Sequence, residues 1–267
     1  MIPATECGRY RITYERPRIM GILNVTPDSF SDAVHYSGKE AVARMFGMED
    51  EGADIIDVGG ESTRPGAVPV SAEEEMSRII GVIKEAVPSL SVPVSADTMH
   101  PETAEAALAA GASVINDVGG LRDRRMTGVV ADAGVPVIIM HMHGTPQDMM
   151  THPMQGNVIE KISKFFDTAL SEAMTAGIKK NKIILDPGIG FGKTPQQNID
   201  IIKNLRSFEK GFPLLTGTSM KSFLPHMYEG TGREDASILS AKECIRNGAQ
   251  IVRVHDIRGT VNTLKDE

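Results

Sequence analysis

Carboxylate and amide side chains at the ends of apolar runs are the first sign of chemistry in this sequence. Asp97 follows the run Val92–Ala96, Asp186 follows Ile183–Leu185, and Asn116 lies inside a third apolar run. Burying a carboxylate costs free energy unless it is paired or hydrogen-bonded. A ligand with N–H donors would satisfy these acceptors, and an amide can both donate and accept. Helix capping is the alternative at any single position, but it does not explain why the pattern repeats along the chain.

Basic side chains and glycine-rich turns indicate that an anion is bound as well. The positive charges come from Arg64, Lys221, Arg253 and His255, in a chain of net charge −7. The turns Gly188–Gly192 and Gly217–Ser219 would leave backbone N–H groups free to approach an anion. Surface solvation is the alternative for Arg64, and it is weaker for Arg253, which lies between two valines.

The pair His141 and His143 raises the alternative of a zinc site. The two side chains would share one face of a strand, and such pairs bind zinc in metal-dependent hydrolases. Those enzymes place the pair early in the chain and add histidines on later strands. Here only His255 ends another strand, so zinc is the weaker interpretation.

Eight short apolar runs rich in β-branched residues must position these side chains. They are Arg18–Val25, Asp54–Val58, Val92–Asp97, Ser113–Val118, Val135–Met140, Lys182–Asp186, Phe212–Thr216 and Ala249–Val254. Each run is continuous rather than alternating, which is typical of strands buried on both faces of a parallel sheet. Stretches of helical periodicity follow most of them, and Ser71–Glu74 and Thr194–Gln197 have the spacing of capping boxes.

Eight units of about 33 residues, close to the ~30 of one strand–helix repeat, predict an α/β fold of the (β/α)8 TIM-barrel type. A doubly wound sheet is the alternative. We expect one domain over residues 1–267, in which residues 1–17 form a hairpin across the bottom of the barrel. The eighth helix should be short, because only 11 residues follow Asp256.

Composition excludes several classes of partner. The acidic balance, the lack of Trp and an aromatic content of 4% argue against nucleic acid. No apolar run reaches the ~18 residues of a membrane span, and the first residues do not resemble a secretion signal. We therefore expect a cytoplasmic protein. A disulfide between Cys7 and Cys244 stays open, although reduced thiols are the simpler interpretation.

Three long motifs stand out in the sequence, Ile19–Asp32, Gly52–Gly66 and Leu185–Lys193, with shorter ones at Asp97-Thr98, Ile115–Asp117, Met140-His141, Lys221-Ser222 and Arg253–Asp256. Together they resemble the motifs of the dihydropteroate synthase family. The resemblance implies a TIM barrel that joins a 7,8-dihydropterin-6-ylmethyl diphosphate to p-aminobenzoate. Diphosphate is released, and Mg²⁺ is the implied cofactor. The partners would be these small molecules, with a possible homodimer through late helices that carry Ile238, Leu239 and Ile245.

The same resemblance implies roles for individual residues. The pterin ring would be bound by Asp97, Asn116, Asp186 and Lys221, with Met140 and Val118 packing nearby. The p-aminobenzoate pocket and its loops would include Phe30, Thr63, Arg64, Pro65, Phe191 and Ser222. The diphosphate would contact Asn24, Arg64, Arg253 and His255, and Asn24 would reach the metal. The residues closest to the chemistry would be Lys221, Arg253, His255 and Asp97, with Asp57 behind them.

Two long loops and two departures from the family pattern bear on the acceptor side. Residues 25–38 and 59–70 would act as lids that exclude water, with Asp28 and Asp32 ordering closure. Met220 stands where the family has Arg, and Asp32 is followed by Ala-Val instead of Gly-Gly. An altered arylamine acceptor, a pterin-binding methyltransferase and a non-catalytic pterin-binding paralogue are the open alternatives.

Overall fold

Eight parallel strands close into a barrel in the computed structural model, which describes residues 2–26, 38–64, 66–149 and 151–265. An antiparallel hairpin, β1 and β2, precedes them. The bounds are β1 Thr5–Cys7, β2 Tyr10–Ile12, β3 Arg18–Asn24, β4 Ile55–Gly59, β5 Val94–Asp97, β6 Val114–Asp117, β7 Val137–Met140, β8 Ile183–Asp186, β9 Leu215–Thr216 and β10 Ile251–Val254. The strand order is β8-β7-β6-β5-β4-β3-β10-β9, and a parallel bridge from Leu185 to Leu214 joins the two ends. This closure confirms the TIM barrel and excludes the doubly wound sheet.

Helices follow each barrel strand on the outside. They are α1 Gly38–Asp50, α2 Ala72–Ala86, α3 Pro101–Ala110, α4 Arg124–Ala133, α5 Val158–Thr175, α6 Pro195–Lys203, α7 Leu224–Met227, α8 Arg233–Arg246 and α9 Ile257–Lys265. The last of them, which completes the eighth unit, is as short as predicted. In the described ranges no helix is both long and apolar enough to cross a membrane.

Prolines shorten three of the predicted strands at their amino ends. Pro93, Pro136 and Pro213 precede β5, β7 and β9, and a proline has no N–H to donate to the ladder. Their carbonyls still accept bonds of 2.9–3.1 Å from the neighbouring strand. The apolar runs therefore extend further than the regular strands, and β9 is reduced to two residues.

The two capping boxes have different outcomes. Thr194 and Gln197 bond reciprocally at the start of α6, as predicted. Ser71 accepts the amide of Glu74 at 3.2 Å, but the Glu74 carboxylate pairs with Arg78 one turn later. The predicted box Ser71–Glu74 is therefore only an N-cap, because the Glu74 side chain forms an ion pair with Arg78 instead of bonding to the backbone.

The hairpin closes the amino-terminal end of the barrel. Cys7 and Ile12 belong to an apolar cluster whose other buried members come from the barrel strands, namely Met20, Ile55, Val114, Ile138, Ile184, Leu215 and Ile251. This bottom layer confirms the predicted position of the hairpin. Both cysteines are buried free thiols, so the disulfide alternative is wrong for this structure.

We expect Ile12→Ala to destabilise the protein by about 2–4 kcal/mol, because it leaves a cavity under the barrel. Ile12 is 5% exposed. Urea unfolding of the variant measures the loss. The control is Val68→Ala at a position 82% exposed, which should stay within about 0.5 kcal/mol of the parent protein. Equal effects of the two substitutions would show that the hairpin does not seal the core.

Candidate active site

One guanidinium joins two carboxylates at the carboxyl-terminal end of the barrel. Arg253 on β10 donates from Nε to Asp57 Oδ2 on β4 and from Nη2 to Asp97 Oδ2 on β5, each over 2.6 Å. Asn116 on β6 donates from Nδ2 to the same Asp57 oxygen over 3.0 Å. Arg253 thus reaches past β3, which lies between β10 and β4. Four strands are tied together by this network.

Burial governs the electrostatics of the network. It raises the pKa of Asp97 to about 8, and Arg253 only partly opposes the rise, while the nearby Asp57 charge adds to it. Burial also disfavours the charge of Arg253, but Asp57 and Asp97 outweigh that effect and its pKa is raised. The carboxylates are therefore in excess over the cation that they share.

Three acceptor atoms of this network lack hydrogen-bond partners in the described part of the chain. They are Oδ1 of Asp57, Oδ1 of Asp97 and Oδ1 of Asn116, and all three are buried. A buried acceptor without a donor costs free energy. The site is therefore suited to a ligand that presents several N–H groups.

Asp186 and Lys221 add a second pair of charges. The Gly188 amide donates to Asp186 Oδ1 over 2.7 Å, and burial raises the pKa of Asp186 to about 6. Burial lowers the pKa of Lys221 to about 8, with Arg253 acting in the same direction and Asp186 against it. The Lys221 ammonium lies 4.1 Å from the centre of the Phe191 ring, a cation–π contact.

A small apolar cluster forms one wall of this end of the barrel. Its buried members are Val118, Met140, Met142, Met149 and Phe191. Val118 and Met140 were expected beside a pterin and Phe191 beside the acceptor, and here they share one cluster. Nothing in the sequence distinguished Met142 and Met149 from the core methionines.

His255 is paired with a hydroxyl and is neutral at neutral pH. Its Nδ1 lies 2.9 Å from Ser219 Oγ. Burial lowers the pKa of His255, and the charges of Arg253, Arg64 and Lys221 act in the same direction, which gives a value of about 4. These surroundings disfavour the positive charge expected of His255, and its role towards the diphosphate stays a prediction.

Three of the five amides in the turn Gly188–Gly192 are bonded within the protein and are not free for an anion. The amides of Gly188 and Gly190 donate to the side chains of Asp186 and Asn198 over 2.7 Å each, and the Phe191 amide donates to the Gly188 carbonyl. Gly188 has a φ of +66°, and a Cβ there would lie 1.9 Å from the His141 carbonyl oxygen. Glycine is needed here for close packing, which is a different reason from anion binding.

The remaining predicted residues lie around the rim. Asn24 ends β3 and is half-buried opposite Gly59, Thr63 is half-buried, and Arg64 and Ser222 are exposed. Met220 has a φ of +60°, and its amide donates to Ser237 Oγ over 2.9 Å. Phe30 and Pro65 lie outside the described residues, as do Asp28 and Asp32 with the Ala-Val that follows it.

A cluster of ionisable side chains beyond the ends of β4 and β5 was not predicted from the sequence. Glu75 on α2 is fully buried and accepts from Thr98 Oγ1 over 2.6 Å, and His100 Nδ1 lies 3.0 Å from the same oxygen. Burial raises the pKa of Glu61, and the Glu75 charge adds to the rise. Glu75 falls in an acidic first helical turn, which is typical of a solvent-exposed residue, so no sequence signal pointed to it.

The zinc alternative lacks its ligands in the described part of the chain. The one group of three or more potential metal ligands found there is Glu61, Glu75 and His100, which does not include His141 or His143. His141 is buried with its ring edge against Phe165, 5.0 Å between ring centres, and burial lowers its pKa to about 2. The geometry of the described residues therefore gives no support to the interpretation of the histidine pair as a zinc site.

We expect inorganic diphosphate to raise the pKa of His255 by about 1 to 2, because an adjacent anion favours the imidazolium. In the free protein the ring should stay neutral from pH 6 to 8. Two-dimensional ¹H–¹⁵N NMR of the histidine rings measures both states, and sodium chloride at equal ionic strength is the control. A free His255 that titrates near its ordinary value of about 6.5 would contradict the expectation.

Comparison with known proteins supports the family that the sequence motifs indicated. Residues 20–255 match the family described as pterin binding enzyme. A dihydropteroate synthase of Neisseria meningitidis serogroup C is 41% identical, over 97% of this chain and 95% of its own length. The Xanthomonas albilineans dihydropteroate synthase with 4-aminobenzoic acid has a TM-score of 0.92 at 40% identity, over 100% of this chain and 97% of that one. Its complex with 7,8-dihydropteroate has a TM-score of 0.87 at 38% identity, over 99% and 97% of the two chains. The chain therefore belongs to the pterin-binding enzyme family and, within it, to the dihydropteroate synthases.

Proposed function

We propose that this protein condenses a 7,8-dihydropterin-6-ylmethyl diphosphate with p-aminobenzoate, or a related arylamine, and releases diphosphate. The observation that carries the proposal is the set of buried acceptors at Asp57, Asp97 and Asn116, which lack donors in the described residues. Solved relatives hold 4-aminobenzoic acid and 7,8-dihydropteroate, which are an acceptor and a product of this reaction.

The pterin ring is assigned to the acidic side of the site. Its ring and amino N–H groups would donate to Asp97, Asn116 and Asp186. The bonds to Asp97 and Asn116 would satisfy buried acceptors that lack donors in the described residues. Lys221, which is a cation and not a carboxylate, would donate a hydrogen bond to an acceptor atom of the ring. Val118 and Met140 would pack against its faces, as their place in the apolar wall supports.

The diphosphate is assigned to Asn24, Arg64, Arg253 and His255 at the rim. Arg253 already gives two nitrogens to Asp57 and Asp97, so its contact with the diphosphate would use the remaining donors of the guanidinium. Asn24 offers a hard amide oxygen, and a Mg²⁺ ion that takes one protein ligand and several phosphate oxygens fits that donor set. When bound, Mg²⁺ would neutralise charge on the diphosphate.

The reaction requires little proton transfer by the protein. The C–O bond to the diphosphate breaks, and both electrons leave with the oxygen. To the extent that they are ionised, the buried carboxyl groups of Asp57, Asp97 and Asp186 would stabilise positive charge on the pterin methylene. The lone pair of the arylamine then forms the C–N bond, and the nitrogen loses a proton, which the released diphosphate would accept. The loops at 25–38 and 59–70 would exclude water, which would otherwise capture the cation.

The arylamine pocket is assigned to Phe30, Thr63, Arg64, Pro65, Phe191 and Ser222. The amide of Gly66 donates to the carbonyl of Pro146 over 3.1 Å, so the second loop contacts the segment after β7. The Lys221–Phe191 contact supports a boundary shared by the pterin and arylamine pockets.

Steady-state release of diphosphate tests the proposal directly. The assay combines the dihydropterin diphosphate, p-aminobenzoate and Mg²⁺, and a chelator should suppress turnover. Failure to form product with any arylamine would refute the proposal. Methyl transfer from methyl-tetrahydrofolate to a corrinoid would favour the methyltransferase alternative instead.

We expect Asp97→Asn to weaken pterin binding roughly 10- to 100-fold, the cost of one charge-assisted hydrogen bond. The amide oxygen would keep the contact with Arg253, and the amide nitrogen would then point a donor where the ligand needs an acceptor. Calorimetry measures the affinity, and circular dichroism shows that the barrel is folded. Asp167→Asn, at an exposed ion pair with Lys210, is the matched control. Unchanged affinity of the Asp97 variant would remove this residue from the site.

Met220→Arg should lower KM for p-aminobenzoate about 2- to 5-fold and leave KM for the pterin unchanged, because an exposed ion pair contributes at most about 1 kcal/mol. The backbone bond to Ser237 is independent of the side chain. Met220→Leu is the uncharged control. An inactive parent protein that gains turnover with arginine would support the non-catalytic alternative, and equal effects of Arg and Leu would exclude a role for the charge.

We also infer one functional domain over residues 1–267, a cytoplasmic location and a possible homodimer. The hairpin packs on the barrel core, and both thiols are free. Leu239 on α8 is 41% exposed, which supports α8 as the contact surface. Analytical ultracentrifugation distinguishes a monomer from a dimer.

A further inference from the structure

Lys193 is a buried cation whose three donors all reach main-chain carbonyls. The side chain lies beyond β8 and is 3% exposed. Its Nζ is 3.1 Å from the carbonyl oxygen of His141, 2.7 Å from that of Gly188 and 3.0 Å from that of Phe191. His141 follows β7, whereas the other two residues lie in the turn after β8, so one ammonium connects two neighbouring strand ends.

The geometry requires the charged form of Lys193. Three acceptors need three N–H groups, which an ammonium has and a neutral amine does not. Burial lowers the pKa of Lys193 well below its ordinary value, Asp186 opposes the change, and the charges of Lys221 and Arg122 add to it. The three carbonyl oxygens and the Asp186 carboxylate are the groups that offset part of the loss of water around the ammonium.

We propose that Lys193 is a positioning residue for the pterin site, which fixes the turn Gly188–Phe191 against β7 and holds Asp186 as a carboxylate facing the pterin. The inference deepens the proposed function and rests on it. Lys193 does not touch the substrate in this scheme. It acts through Asp186 and through the Phe191 backbone.

The contacts of the turn support this assignment. Asp186 accepts the Gly188 amide, and the carbonyl of Gly188 accepts from Lys193. A Cβ at Gly188 would lie 3.3 Å from Lys193 Nζ, in addition to its clash with His141. The turn can therefore lie against both the lysine and β7 only if residue 188 is glycine. Phe191, which is held by its carbonyl, meets Lys221 with its ring.

The charges around Asp186 decide what the loss of Lys193 would do. Burial raises the pKa of Asp186, while the Gly188 amide and the charges of Lys193, Lys221 and Arg253 oppose the rise. The net value is about 6. Removal of the Lys193 charge must raise the pKa of Asp186. Pterin binding through the Asp186 carboxylate would then be lost at a higher pH than in the parent protein.

A purely structural role predicts a different result. If Lys193 only stabilised the turn, its removal would weaken pterin binding by the same factor at every pH. An electrostatic positioning role weakens binding mostly on the acid side. The pH profile of the pterin affinity therefore separates the two, whereas a loss of activity at one pH does not.

The experiment compares Lys193→Met with the parent protein by calorimetry, with 6-hydroxymethyl-7,8-dihydropterin as the probe, from pH 5 to 9. We expect the acid limb of the affinity to move up by about 1 pH unit. The loss of affinity should then be about fivefold at pH 6, approach tenfold at pH 5 and stay below threefold at pH 8.5. Lys203→Met, at an exposed position on α6, is the matched control and should follow the parent profile.

A second variant keeps the test decisive if Lys193→Met does not fold. Lys193→Gln retains two N–H donors without the charge and should give the same shift of the acid limb, while Lys193→Arg should leave the limb in place. A parallel loss at all pH values, or an unmoved limb in the uncharged variants, would overturn the inference alone. A parent protein that binds no pterin at any pH would overturn the proposed function first.

Discussion

The sharing of Arg253 between Asp57 and Asp97 is the constraint on which the active end of the barrel depends. Each acid is buried on a different strand, and Arg253 is the cation that pairs with both. Burying a charge without such a partner costs free energy. Arg253 is the last charged residue placed by the barrel strands, so the site is complete only when β10 lies between β3 and β9.

An acidic protein can still hold an anionic leaving group if its few basic side chains lie where that group binds. The carboxylates lie inside the barrel mouth, and Arg64 lies on the outer rim with the half-buried His255 nearby. The carboxyl groups outnumber the cations inside the mouth, and this separation leaves the positive charge of Arg64 at the rim. Net charge alone, −7 for the chain, says nothing about this separation, because only the positions of a few side chains determine it.

Much of the fold and part of the site followed from the sequence. Continuous apolar runs identify the eight strands because both faces of a parallel strand are buried, and Asp97, Asn116 and Asp186 stand out because polar residues are rare in such runs. Three kinds of feature could not be predicted. The first residue of each hydrogen-bonded strand could not be predicted, because the apolar runs continue through the prolines. The neutrality of His255 depends on neighbours from other strands. Glu75 and Lys193 have the sequence pattern of surface residues, and only tertiary packing buries them among partners.

The closure between β8 and β9 has a consequence for motion. The other barrel strands share ladders of three to five residue pairs, or two between β10 and β9, whereas β8 meets the β9 side through the single bridge of Leu185 and Leu214. Local opening costs least where the fewest hydrogen bonds must break. Local opening of the barrel should therefore cost the least free energy between Asp186 and the segment that leads to Lys221. Small movements at this closure would widen the pterin site and the passage for the arylamine together. Substrate entry and product release could then use the same local opening of the barrel.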